Sequence, residues 1–103
     1  MEGSTVIVGI CEVDFRIHGS MSLKDKRQVM RSLINHIKKK YNVSIAEVGY
    51  QDKWQRGQLG IVATSGDTLF LEKMLNQIQT YIETDSRIEV LDYVMDIDKV
   101  RWE

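Results

Sequence analysis

The sequence predicts an α+β sandwich, a four-stranded antiparallel sheet with two helices on one face, in the order βαββαβ. Three observations carry this. Four stretches rich in β-branched residues alternate with period two, two longer stretches repeat their apolar residues at helical spacing, and each helical stretch of about 17 residues stands between two strands as a crossover. With no repeat, linker or low-complexity segment, the 103 residues are expected to form one domain, its core over about residues 5–97.

From Thr5 to Ile17 a long strand is expected, with Ile7, Gly9, Cys11, Val13, Phe15 and Ile17 on its core face. The opposite face begins with Val6, Val8 and Ile10 and then changes to Glu12, Asp14 and Arg16. Three aliphatics together on an open face exceed what a lone monomer leaves wet, which predicts a homodimer through that face. His18 to Met21 read as a turn with Gly19 at its permissive position, and Ser22 with Asp25 as a capping box in which Asp replaces the usual Glu. The helix then starts near Leu23 and stops near Lys40 to Asn42, three lysines closing its last turn. At 100° per residue, Leu23, Val29, Met30, Leu33, Ile34, Ile37 and Tyr41 form one stripe, while Lys24, Arg27, Arg31 and Lys38 share the adjacent face. Lys26 falls inside the apolar sector, so its ammonium must snorkel along the core edge or meet something negative near the helix start.

Val43 to Tyr50 and Leu59 to Thr64 alternate as second and third strands, joined by a polar hairpin from Gly49 to Gly57. Asp67 is the expected N-cap of a helix to about Glu83, whose stripe of Phe70, Leu71, Met74, Leu75, Ile78, Tyr81 and Ile82 is read as core. Arg87 to Ile97 form the last strand, and a slip in its alternation predicts a bulge near Val90 or Leu91. Asp98 to Glu103, with Trp102, are expected to be a loose end. The topology is that of a ferredoxin-like fold, which is too widely reused to define an activity.

Composition narrows the classes. Apolar residues at 43 % and charged residues at 28 % are ordinary for a soluble protein, and no stretch approaches the roughly 20 apolar residues of a membrane span. The opening Met-Glu-Gly-Ser-Thr does not resemble a signal peptide, so a cytoplasmic location is expected. One cysteine, Cys11, excludes an internal disulfide, and with only His18 and His36 beside it no metal site and no cofactor are expected. The net charge of −1 conceals a division: residues 1–57 hold ten Lys/Arg against six Asp/Glu, and residues 58–103 hold four against nine. Between Arg16 and Lys40 eight basic residues face one acid, Asp25, so a localised surface for phosphates is expected.

Four runs are distinctive: Arg16-Ile-His-Gly19, Ser22-Leu-Lys-Asp-Lys-Arg27, Tyr41-Asn-Val-Ser-Ile-Ala-Glu-Val48 and Gln51-Asp-Lys-Trp-Gln-Arg56. On these the chain, from about Val6 to Asp98, resembles the YlxP-like family, small bacterial proteins classed as a domain of unknown function. The resemblance implies a ferredoxin-like fold and an association with translation and ribosome maturation. It supplies no catalytic residues to carry over. His18 stands before Gly19 where many relatives have proline, so His18 is assigned to no shared site.

Lys24, Lys26, Arg27 and Arg31, with His18 beside them, are the candidates for binding RNA phosphates or another anion, each contact releasing counterions. The bland alternative is a solvated helix face satisfied by neighbouring acids. Gln51, Asp52, Trp54 and Arg56 are the candidates for binding a partner, with Trp54 as anchor and Arg56 as fork. Their structural alternative is a hairpin clamped by Asp52 and Arg56, with Trp54 covering a sheet end. An RNA-recognition motif would need aromatics on its third strand, but Arg56-Gly-Gln-Leu-Gly60 has none, so RNA is not expected to stack on the sheet. Acylphosphatases share the topology, and Arg16, Arg27 and Asn42 occupy loosely comparable places, yet the glycine-rich phosphate loop is missing. Cys11 is expected in the core, Glu12 and Asp14 point to opposite sides of a strand, and His36 is read as surface. The sequence therefore points to a binding protein rather than an enzyme, its partner an rRNA or a ribosomal protein. The alternative is a small phosphate-ester hydrolase or anion sensor using the loop between first strand and first helix.

Overall fold

The computed structural model describes residues 4–102 in the order β1 (Ser4–Ile17), α1 (Leu23–Lys40), β2 (Ser44–Gly49), β3 (Arg56–Ser65), α2 (Thr68–Thr84) and β4 (Ile88–Trp102). The strands lie in the order β2-β3-β1-β4 and every neighbouring pair is antiparallel, the ferredoxin-like α+β topology expected from the sequence. β1 pairs with β3 from Ile7 opposite Ser65 to Arg16 opposite Arg56, and with β4 from Ser4 opposite Trp102 to Ile17 opposite Ile88. Fourteen residues at about 3.3 Å each make β1 about 46 Å long, and the molecule accordingly measures 54 × 23 × 23 Å.

Period two decides what β1 buries. Cys11, Val13, Phe15 and Ile17 point under the helices, joined by Leu59 and Ile61 from β3 and Ile45 from β2. α1 adds Val29, Met30, Leu33 and Ile37, and α2 adds Leu71, Met74, Leu75, Ile78 and Ile82. Gly9 lets α2 come down onto β1, since a Cβ there would lie 2.7 Å from Leu75 Cδ1. Both helices are capped as expected. Ser22 Oγ accepts from the Asp25 N–H at 3.0 Å and Asp25 Oδ2 accepts in return from the Met21 N–H at 3.0 Å, while Asp67 accepts from the N–H groups of Leu69 and Phe70.

The slip in β4 is a bulge at Leu91: Asp14 faces Asp92 and Phe15 faces Val90, leaving Leu91 unopposed. Two expectations are corrected. Asp98 to Trp102 are not a loose end, because their backbone continues β4 against the start of β1; Glu103 lies outside the described residues. Phe70 is not core. It adjoins the buried Leu71, which takes the inward direction, and Phe70 is left 59 % exposed on the flank of α2 nearest the end of α1. β4 is also an edge strand, and Asp92 and Asp98 each accept at 2.9 Å from the next backbone N–H, occupying groups that would otherwise template a further strand. Among the described residues no helix is long and apolar enough to cross a membrane.

Candidate functional site

The front of the molecule gathers the end of β1, the start of α1, the β2–β3 hairpin and the start of β4. Lys26 joins them. Its side chain is 2 % exposed, and its ammonium donates to the Tyr50 carbonyl and lies 3.7 Å from Glu47 Oε1 on β2. Of the two outcomes the sequence allowed, the structure takes the second, and the negative groups belong to the chain itself. Burial holds the Lys26 pKa below the ordinary lysine value, while Glu47 and Asp52 partly oppose that shift. Tyr50 presents its carbonyl from the left-handed region, at φ 57°, a conformation uncommon in a residue with a Cβ. The same carbonyl accepts the Lys53 N–H at 3.0 Å.

Further bonds fasten the hairpin. Gln55 Nε2 donates to the Ser20 carbonyl at 3.1 Å, and the Ile17 N–H donates to the Gln55 carbonyl at 2.9 Å. Arg56 directs one guanidinium nitrogen at both oxygens of Asp14, 2.9 Å from each, and lays the group over the Tyr50 ring at 4.4 Å from its centre. The Asp14 carboxylate holds the Arg56 pKa above its ordinary value. Arg56 is thus paired within the chain, half-buried, with Asp14 rather than Asp52 as its clamp. Gln51, Asp52 and Trp54 project from the hairpin, Trp54 being 50 % exposed beside a shallow recess running from Asp52 to Arg56.

His18 and Arg16 both face Glu89, at 3.5 and 3.4 Å, and the His18 N–H donates to the Arg87 carbonyl at 2.8 Å. The cations left open to solvent are on the flank of α1. Lys24, Arg27, Arg31 and Lys38 are exposed, and among the described residues no carboxylate comes within ion-pairing distance of them. At 1.5 Å rise per residue their row runs for about 20 Å. Asp25, the one acid nearby, already accepts from the Met21 N–H. His36 is exposed and stacks on Tyr81, ring centres 4.0 Å apart.

Sequence reasoning missed Glu47, Glu89 and Tyr50, which satisfy Lys26, Arg16, His18 and Arg56. Only Glu47 carried a usable signal, as the lone acid within the β2 alternation. Among the described residues no three His, Cys, Asp or Glu side chains are grouped to hold a metal. Cys11 is buried beside Tyr93, and desolvation pushes its thiol pKa up, away from nucleophilic use.

Residues 8–95 match the family model described as Protein of unknown function (DUF503). The chain is 39 % identical over 83 residues to "Uncharacterized protein YlxP" of Bacillus subtilis (strain 168), covering 81 % of this chain and 90 % of that one. A solved structure, "De novo designed protein Foldit4", aligns with a TM-score of 0.48 at 13 % identity, over 97 % of this chain and 100 % of that one.

Proposed function

The chain belongs to the family described as Protein of unknown function (DUF503), and we propose that it is a non-enzymatic binding protein of translation or ribosome maturation that holds RNA phosphates on the flank of α1. One observation carries this reading: Lys24, Arg27 and Arg31 stand exposed in one row without a carboxylate of the described residues to neutralise them. Fixed cations spaced along a rigid helix meet a polyanion with little ordering cost, and counterion release drives the contact. Trp54, half exposed at the tip of a hairpin tied down at its base, supports a partner contact next to the row. Binding is favoured over a hydrolase at the β1–α1 loop because Arg16 and His18 face Glu89 and Lys26 is used internally.

The homodimer belongs to the same proposal. Val6, Ile10, Val62 and Val94 lie exposed on neighbouring strands of the open sheet face, so covering them removes contiguous apolar surface from water. Light scattering across a concentration series tests it, and a constant monomer mass would remove the dimer. The RNA reading is tested by sedimenting the protein with ribosomal subunits and by anisotropy with rRNA fragments at several salt concentrations. Three phosphate contacts give a slope of log affinity against log salt of about −2 to −3. Lys24→Glu with Arg31→Glu should abolish co-sedimentation, and co-sedimentation that survives the pair refutes the α1 contact.

A further inference from the structure

At the opposite end of the molecule from the hairpin, the last turn of α1 and the first turns of α2 stand apart. A groove runs between them, one wall made by α2 from Leu69 to Thr84 and the other by Lys40 and Tyr41. Its deeper part is a recess of about 490 Å³ that also takes in Asn42, Thr64 and Phe70. That volume lies within the roughly 300–1,000 Å³ of ordinary small-ligand sites.

The recess combines three kinds of group. The 59 % exposed Phe70 and Tyr41 offer aromatic surface, Asn42 and Gln77 offer carboxamides that both donate and accept, and Lys40 and Lys73 offer ammonium groups, that of Lys40 standing over the Tyr41 ring at 5.7 Å from its centre. Among the described residues neither lysine has a carboxylate within ion-pairing distance. A flat heterocycle stacks on an aromatic face, its edge pairs with amides, and an attached phosphate sits on cations. From this we infer that the recess binds a nucleotide unit, base plus phosphate, either free or as part of single-stranded RNA. Glu72, on the rim of the wider groove, sets one carboxylate against the ammonium groups of Lys40 and Lys73, which leaves a net positive charge suited to one phosphate at the recess. The site shares no residue with the row from Lys24 to Lys38, so it stands or falls separately from the proposed function.

The test is an NMR titration of the isotope-labelled full chain with AMP, adenosine, inorganic phosphate and an eight-residue oligoadenylate. AMP should shift the amides of Tyr41, Phe70, Lys73 and Gln77, adenosine should shift a subset of them, and phosphate alone should shift few. Saturation by the oligonucleotide at least tenfold below AMP identifies RNA as the source, and equal saturation identifies a free nucleotide. Phe70→Ala and Lys73→Glu, both at exposed positions, should each weaken AMP binding about tenfold with thermal unfolding unchanged, whereas Lys24→Glu with Arg31→Glu should leave it intact. The inference is overturned if these amides do not move at millimolar AMP, or if phosphate alone reproduces the shifts. It is equally overturned if an acidic peptide containing Phe displaces AMP at lower concentration. Shifts confined to the flank of α1 overturn the groove site and leave the RNA proposal standing.

Discussion

Replacing Lys26 with Met tests how the hairpin is held to α1. Met keeps the length and apolar character of the stem at a site 2 % exposed, so packing is nearly conserved. The ammonium is what disappears. A hydrogen bond from a charged donor contributes about 1.5–3 kcal/mol, and the desolvation that opposes it disappears with the charge. The groups left behind are only partly orphaned: the Tyr50 carbonyl keeps the Lys53 N–H at 3.0 Å, and Glu47, at 24 % exposure, reaches water. The roughly 3–5 kcal/mol of a broken, fully buried pair therefore does not apply, and since the lowered Lys26 pKa sets the cost of burying the charge against the lost bond, a loss of about 1 kcal/mol is expected. That lowers the melting temperature by roughly 4–8 °C. Urea unfolding at pH 7 should show a lower midpoint with the same slope, because the surface exposed on unfolding is unchanged. Adding Glu47→Gln to Lys26→Met should cost no further stability, since the unpaired carboxylate is then gone. A Lys26→Met protein as stable as the wild type would refute the reasoning.

Three further outcomes follow from the same geometry. Because the Lys26 pKa is lowered on folding, the unfolded chain binds more protons between the folded pKa and the ordinary 10.5, so wild-type stability measured against Lys26→Met should rise with pH through that window. Cys11, Tyr81 and Tyr93, whose folded pKa values are raised, lower stability with rising alkaline pH in both proteins and cancel in that difference. Gly57→Ala should lose about 1–3 kcal/mol by urea unfolding, since its Cβ would lie 2.7 Å from the buried Phe15 ring, whereas Gly66→Ala, into open space, should gain about 0.4–1 kcal/mol. Trp54→Ala should change stability by no more than about 0.5 kcal/mol, and any loss of partner binding it causes is then a contact effect.

The fold was legible because its two periods are clean. Alternation from Ile7 to Ile17 and the spacing of Val29, Met30, Leu33 and Ile37 each admit one orientation, and the slip around Leu91 was visible as a broken phase. Phe70 was misread because an aromatic next to a buried leucine fits a helical stripe in one dimension, yet adjacent residues on a helix diverge by 100° and only Leu71 turns inward. The end of β4 was misread because Asp98, Lys99 and Arg101 look like a solvated tail, although an edge strand tolerates such residues. The partners of the charged groups were hidden for a different reason. Arg56 meets Asp14 across 42 positions and Arg16 meets Glu89 across 73, distances that only strand register brings together.

That register changes where an outside anion could approach α1. Ordinarily a helix N-terminus offers bare N–H groups and a positive dipole end. Here Ser22 and Asp25 already accept from the Asp25 and Met21 N–H groups, and Asp25 brings a negative charge to the spot. Lys26 is withdrawn into the core, 200° around the helix from Lys24, and its ammonium serves Tyr50 and Glu47. Three neighbouring cations of one sequence run therefore divide by angle alone: Lys26 fastens the hairpin, and Lys24 and Arg27 face solvent. On the proposed reading, a polyanion would therefore be met by the flank of the helix, along the row that continues through Arg31 to Lys38, rather than by its end. Reversing Lys24 and Arg31 should consequently remove binding without touching stability, and Lys26→Met should lower stability while leaving the salt dependence of binding unchanged.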